Sequence, residues 1–467
     1  MSMKLGTISL NAVYLGTTSI AALYLGAAQV FGGGAVEFDP ASLFASGEEG
    51  AWYEPSTSTA FTDTGGTISA TYGDPVAYLQ DLSGNDNHAT QTTLASRPIL
   101  ARVPEGGRRN LLERTEEFDD AAWLKFEVTA PSPTVLQETT ANKEHFASQQ
   151  TTKIAASQTY TFGVRASQNS GTRNLGLGIT NGITSGKAVI FSLVDGSVVL
   201  SNQNVGTGSG FTYVGQTSEV DGDDYIFSVT ITTDAATRVD FVVYMVNGTT
   251  RQYGGSTSNR INVYTTQAEL GSTATDYQKV VDEYDITESG VTSLEYLSFD
   301  GVDDYLSVGS NQITGSQDRT VFAALEIDSV GGINSFFDMG AEATGARYSH
   351  SAGYNSADIG IGISGSNTYW GSSPDTSPHV YVTVLEGDQL VDVSARKDGV
   401  TLSVNSSASP TNVINTSSSN TTIGVDVGLA NFLNGNLYGL LVRGASSTTD
   451  EITNTEAYLA TRSGVTL

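Results

Sequence analysis

Apolar and polar residues alternate along much of this chain. In Thr159-Tyr160-Thr161-Phe162-Gly163-Val164 every second side chain is apolar, and the same holds across 225–231 and 239–244. A period of two belongs to an extended strand with one face buried. Further alternating runs stand at 320–327, 333–339, 380–385, 389–396, 401–404 and 437–442, separated by Gly, Asn, Ser and Asp, the residues that favour turns. Only 450–459 carries apolar residues at helical spacing, which predicts one short helix near the C-terminus.

The first thirty residues repeat with a period of about ten. Leu5-Gly6-Thr7, Leu15-Gly16-Thr17 and Leu25-Gly26-Ala27 align, as do Leu10, Ile20 and Val30, and Tyr14 with Tyr24. As a strand, Leu10, Ala12 and Tyr14 point to one face and Asn11, Val13 and Leu15 to the other, with Gly-Thr as the turn. Three such short strands form a small β-meander that cannot bury its faces alone, so it is expected to pack on the protein's own body, a sister subunit or a larger assembly. Gly32-Gly33-Gly34 then reads as a flexible joint, making residues 1–34 an anchor on a hinge.

At 467 residues the chain is long enough for two or three cores, and 39% hydrophobic content with 21 Tyr and 17 Phe is that of a folded protein. Lys and Arg number 22 against 50 Asp and Glu, a net charge of -28. Such a surface repels nucleic-acid phosphates and anionic lipid, so neither nucleic acid nor a membrane is expected as a partner. Without Cys there are no disulfides, thiolate metal sites or Cys catalysis, and the four His lie far apart in sequence. No run of about eighteen apolar residues marks a membrane-spanning helix. Lys4 precedes an apolar stretch, but Gly6, Gly16 and Gly26 interrupt it, so a cleaved secretion leader is not expected.

Asp81 to Gln91, reading DLSGNDNHATQ and followed by Arg97-Pro98, resembles the opening of the concanavalin A-like, laminin G type β-sandwich found in many bacteriophage virion proteins. The strand that usually follows soon after, FDGVDDYL, stands far away at Phe299 to Leu306. Between them, NLLERTEEFDDAAW at 110–123 and AELGSTATDYQK at 268–279 resemble the entry and exit of carbohydrate-binding-module-like jelly rolls in phage tail and head-fibre proteins. EAYLATRSGV at 456–465 is similar to the terminal element of such phage domains. The expected fold is therefore all-β: two β-sandwich (jelly-roll) domains, one inserted in the other, plus the N-terminal β-meander. Residues 35–109 and 282–467 would form the outer sandwich and 110–281 the insert, a split tolerated where a loop's ends lie close together. The resemblance implies a virion structural protein, a fibre, spike or decoration subunit on the surface of a phage particle. Residues 1–34 would meet other virion proteins, the sandwiches would meet host-surface polysaccharide, and a homo-oligomer is expected.

Acidic clusters supply the rival chemistry. Glu283-Tyr284-Asp285-Ile286-Thr287-Glu288 has the carboxylate spacing of retaining glucanases built on this sandwich, and Glu326-Ile327-Asp328 matches it in part. In an acidic chain such spacing arises readily, so no catalytic residue is assigned and no enzyme is expected; a capsule-degrading glycan hydrolase is one alternative and a purely architectural virion subunit the other. Asp300, Asp303 and Asp304 suit a calcium ion or, more simply, a tight turn whose Asp side chains bond the local backbone; Asp221, Asp223 and Asp224 pose the same choice. Asp81, Asp86 and His88 are explained by a turn. No cofactor is expected, with Ca2+ as the alternative.

Sugar recognition asks for aromatic faces rimmed by amides and hydroxyls. ARYSHSAGYNSADIG and SGSNTYWGSS read as loops, too rich in Gly and Ser for core strands, and they carry Tyr348, His350, Tyr354, Asn355, Tyr369 and Trp370. Tyr244, Arg251 and Tyr253 are the comparable set in the insert. For any single ring, half-buried sandwich packing or a subunit contact is the simpler reading; as a cluster in loops, Tyr348 to Trp370 is the expected glycan site.

Overall fold

The computed structural model describes residues 13–15, 18–20, 22–25, 28–32, 38–152, 157–182, 184–282, 284, 290–310 and 313–467. The fold is all-β, with the described strands in antiparallel pairs and a single α-helix among the described residues. No described helix is long and apolar enough to cross a membrane. In the N-terminal repeat, Val13–Leu15 pairs with Thr18–Ile20 and Ala22–Leu25 with Ala28–Gly32, so the pairs flank positions 16–17 and 26–27 where turns were expected. The first copy of the repeat and Gly33-Gly34 lie outside the described residues.

Two compact units follow, and the inner one runs from Arg102 to Leu294. The expected limits were 110 and 281. The difference has a physical cause: Arg102 Nε donates to the Tyr284 carbonyl at 2.7 Å and the Glu105 N–H to the Thr292 carbonyl at 2.8 Å, so the leaving and returning segments hold each other. Asn110, where the insert was expected to begin, is instead a buried staple of that unit. Its amide donates to the Thr266 and Gln278 carbonyls, both at 2.9 Å, and its side-chain oxygen accepts from Ala268 N–H at 3.1 Å.

The insert is a sandwich of two sheets. One runs in the order Leu124–Phe126, Asn142–Thr152, Arg238–Val246, Asn174–Asn181, Ser185–Phe191, Val198–Gly206; the other places Arg260–Leu270 and Thr159–Ser170 at its centre. Alternation sends Val239, Phe241 and Val243 from one sheet, and Phe162, Val164, Phe227 and Val229 from the other, into one core.

The outer unit is also a sandwich. Its first sheet centres on His379–Leu385, Arg319–Ile327, Asn434–Arg443 and Ser293–Asp300, with Ile99–Pro104 beside the last. Its second sheet includes Asn367–Trp370, Ile359–Gly362, Arg347–Ala352, Asn334–Gly340, Asn420–Ile423 and Leu306–Ser310. Val321, Ala323, Leu325 and Ile327 face the shared core, while the buried Phe322 and Ala324 alternate to the other side. There the helix Thr449–Ser463 packs on three central strands.

That helix has complete signals. Thr448 and Glu451 form a reciprocal capping box, acidic residues fill the first turn, and Gly464 takes the left-handed conformation at φ 69° that ends the helix. Buried Leu459 and Ala460 meet the sheet, and buried Glu456 holds Arg396 by two bonds of 2.8 and 2.9 Å. The DLSGNDNH segment is a backbone staple: buried Asp81 accepts from the N–H groups of Trp52, Ser83 and Asn87 at 2.8, 2.9 and 2.9 Å.

Because the insert's ends are joined, removing 106–291 and closing the gap with a short Gly-Ser linker should leave an outer unit that unfolds in one cooperative transition. Urea denaturation followed by Trp fluorescence and far-UV circular dichroism checks this: coincident curves are expected, and an aggregated or molten remainder would refute the parse.

Candidate functional site

The strand Arg347–Ala352 alternates strictly between half-buried and buried positions. Tyr348, His350 and Ala352 face the core, so Arg347, Ser349 and Ser351 face out. Its neighbours follow suit: Ile359 and Ile361 point in with Thr368 and Trp370, leaving Gly360, Gly362, Asn367 and Tyr369 on the outer face. Register aligns them in two rows across three strands, Ser351–Gly360–Tyr369 and Ser349–Gly362–Asn367.

Glycine in these rows makes room. A Cβ on Gly360 would sit 2.6 Å from the Tyr369 ring, and one on Gly362 would sit 2.6 Å from the Asn367 side-chain oxygen. Tyr369 therefore lies down across Gly360, and Asn367 across Gly362. Tyr354 stands beside Tyr369 with ring centroids 5.9 Å apart. Together with Arg347, Ser335 and Asn431 these residues line an open cleft of about 250 Å³. Its walls are hydroxyls, amides and two half-buried phenol rings, a surface suited to a polar ring with one apolar face.

Four of the six expected glycan residues in this region do not line the cleft. Tyr348, His350 and Trp370 lie in the core, at 0%, 0% and 2% exposure, on strands and not in loops. His350 shares a hydrogen bond of 2.9 Å with Thr383, and burial pushes its imidazole down to about 3, so it is neutral packing material. Burial pushes the Tyr348 hydroxyl up to about 12, with the Arg319 guanidinium 5.0 Å over its ring. Asn355 is exposed in the turn after Tyr354, with φ 56°, and does not line the cleft. Arg347, Ser349, Ser351 and Asn367 escaped the sequence reading, although the polar-apolar alternation of Arg-Tyr-Ser-His-Ser-Ala was the signal for them.

The insert has a comparable outer face. Tyr244, buried at 2%, lies over Gly176 and Gly178, with the Arg251 guanidinium 5.3 Å above it. Tyr244, Phe146, Val242 and Leu124 floor a cleft of about 420 Å³, whose polar end holds Thr180, Asn181, Arg238 and Asp240. Arg238 donates to Asp240 at 2.7 and 2.5 Å, and the Thr180 hydroxyl is buried there without a protein partner. Arg251 and Tyr253 do not line this cleft. Arg251 sits near Glu144 at 3.6 Å and donates to the Asn204 carbonyl at 3.0 Å. Tyr253 is buried, bonding Glu138 at 2.6 Å within a network that also takes in Arg173 and Asn259. It is a structural side chain.

The acidic motifs resolve as follows. Glu283 and 285–289 lie outside the described residues. Glu326 accepts from Asn436 at 3.1 Å and Tyr438 at 3.0 Å, while Asp221 and Asp224 pair with Arg165 at 2.7 and 2.8 Å. Asp240 is the only carboxylate lining either cleft among the described residues. Asp300, Asp303 and Asp304 do bring carboxylate oxygens within 4.8 Å of one another and could hold a cation. They also bond their surroundings: Asp300 accepts from Val302 N–H at 2.8 Å, Asp304 from Asp300 N–H at 3.1 Å, and Asp303 from the Ser96 hydroxyl at 2.9 Å.

No family model matches the chain, and no curated protein matches it. Among solved structures, a "putative carbohydrate binding protein" of Bacteroides ovatus ATCC 8483 aligns over 64% of this chain and 79% of its own, at 10% identity and a TM-score of 0.25. That likeness is too loose to transfer a ligand.

Burial, with the charges of Asp300 and Asp303, pushes the Asp304 carboxyl up to about 6. A carboxyl raised above its unfolded value stabilises the fold fully below pH ~4 and loses that contribution as pH climbs through the folded value. Asp304→Asn should thus gain on the wild type by about 1–3 kcal/mol between pH 4 and pH 8. Chemical denaturation at both pH values, with and without millimolar Ca2+, checks it. A Ca2+-dependent rise in melting temperature that the variant abolishes would identify a cation site instead.

Proposed function

We propose that this protein binds glycans, through the outer-face cleft of the sandwich that carries Tyr354 and Tyr369. The observation that carries this reading is the pair of cross-strand rows in which Gly360 and Gly362 lay Tyr369 and Asn367 flat beside Ser349 and Ser351. A sugar ring offers one C–H face to an aromatic and a girdle of hydroxyls to amides and hydroxyls, and this cleft offers the complementary set. The cleft of the insert, with Tyr244 and Phe146 below and Asp240 and Thr180 at its end, gives a second surface of the same kind. Binding without bond cleavage suits both, because among the described residues neither is lined by a pair of carboxylates at the separation glycoside hydrolysis needs.

The setting proposed is the surface of a phage particle, supported by the virion-protein resemblance of the DLSGN, NLLERTEEF and FDGVDDYL segments. There the protein would serve as a fibre, spike or decoration subunit, with its N-terminal hairpins meeting other virion proteins. Many weak sites on one particle gain avidity for a repeating host polysaccharide without any single site being tight. A chain starting at residue 35 should give soluble sandwiches that fail to join particles; normal incorporation would remove the anchor role.

Tyr369→Ala should weaken retention on isolated bacterial surface polysaccharide about tenfold, with the melting temperature within a few degrees of the wild type. Trp370→Ala, one residue on, deletes a core ring and should cost about 3–5 kcal/mol of stability. Polysaccharide pull-down, a reducing-end assay and calorimetry separate the outcomes. Retention unchanged in Tyr369→Ala would discard this cleft, and new reducing ends would make the protein a hydrolase.

A further inference from the structure

Resting on the glycan-binding reading, we propose that the Tyr354/Tyr369 cleft selects uncharged sugars and rejects acidic ones, because its only cation is already spent on buried carboxylates. Among the described residues, Arg347 is the one charged side chain lining the cleft. Its Nε donates to Asp338 at 2.7 Å, one Nη lies 3.3 Å from Asp426, and the other lies 3.4 Å from Glu342. All three nitrogens of the fork are thus engaged, and the bidentate grip that guanidinium groups use on carboxylates and sulfates is not free for a ligand.

The balance of charge points the same way. One cation faces three carboxylates, and two of them, Asp338 and Asp426, are buried at 0% and 2% exposure. Buried charge is poorly screened by solvent ions, so an acidic sugar entering the cleft meets a negative field that salt does not remove. Burial pushes Asp338 up to about 7, and even with Asp338 protonated the buried Asp426 neutralises Arg347, so no free positive charge is left in the cleft, while the exposed Glu342 adds only a charge that salt screens. Hydroxyl and acetamido groups meet no such penalty, since Ser349, Ser351 and Asn367 offer neutral partners.

Salt separates this local effect from the repulsion of the whole acidic surface. Repulsion between exposed charges fades as the Debye length shrinks from about 10 Å at 0.1 M salt to about 3 Å at 1 M. Rejection by the buried carboxylates should persist. The test is a glycan array of uncharged, uronic-acid, sialylated and sulfated sugars, probed with the full chain at 0.05 and 0.5 M salt, with Tyr369→Ala as the site control.

Signals that depend on Tyr369 are expected on uncharged sugars, at least tenfold above their acidic counterparts at both salt levels. Asp426→Asn, checked by its melting curve, should narrow that gap several-fold. Tyr369-dependent binding of acidic sugars equal to or above that of their uncharged counterparts at 0.5 M salt would overturn the selectivity while leaving the glycan site standing. No binding, or binding indifferent to Tyr369, would remove the site and the selectivity with it.

Discussion

A strand has two faces, and a sandwich can bury only one of them against its partner sheet. What covers the second face decides what the rest of the molecule can do. In the outer unit the helix Thr449–Ser463 covers one sheet, and Arg319–Ile327 is accordingly buried on both sides. The Glu456–Arg396 pair fastens that cover: with one partner removed the other would be left partly buried and uncompensated, which is why such pairs are costly to break. The opposite sheet receives no helix among the described residues. Its outer face must satisfy water, and Ser349, Ser351, Gly360, Gly362 and Asn367 do so while leaving a hollow.

That same economy explains what could be read in the sequence and what could not. The strands, the closing helix and the interrupted sandwich follow from apolar periodicity, and the periodicity is strong where both faces are buried. Around 347–370 one face is core and the other is Ser and Gly, so the segments mimic loops in composition while obeying strand alternation in order. Weighting composition over order exposes Tyr348, His350 and Trp370, which the core claims, and hides Arg347 and Asn367. Tyr354 and Tyr369 are found either way. Charge bookkeeping fails differently: Asp338 and Asp426 are distant in sequence, and only the register beside Arg347 brings them together.

Buried polar groups serve as punctuation in both sandwiches. Asp81 and Glu138 each collect several donors from segments far apart in sequence, and Asn110 donates to the Thr266 carbonyl while accepting from the Ala268 N–H, so each carboxylate or amide is well supplied with partners. A buried acceptor of this kind penalises any register that strands it, so such contacts specify the arrangement of turns that apolar burial alone would leave loose. In a chain of net charge -28, spending acids in this way also keeps them off the surface, where they would only repel one another.

The adjacency of Ile99–Pro104 and Ser293–Asp300 has a mechanical meaning. Tension applied between residues 38 and 467 would pass along the outer sandwich from strand to strand through that hydrogen-bonded junction, which acts as a shunt. The chain between residues 102 and 294 carries no load until the junction itself tears. Load carried between those two positions would thus be borne by the outer sandwich while the chain between residues 102 and 294 remained folded.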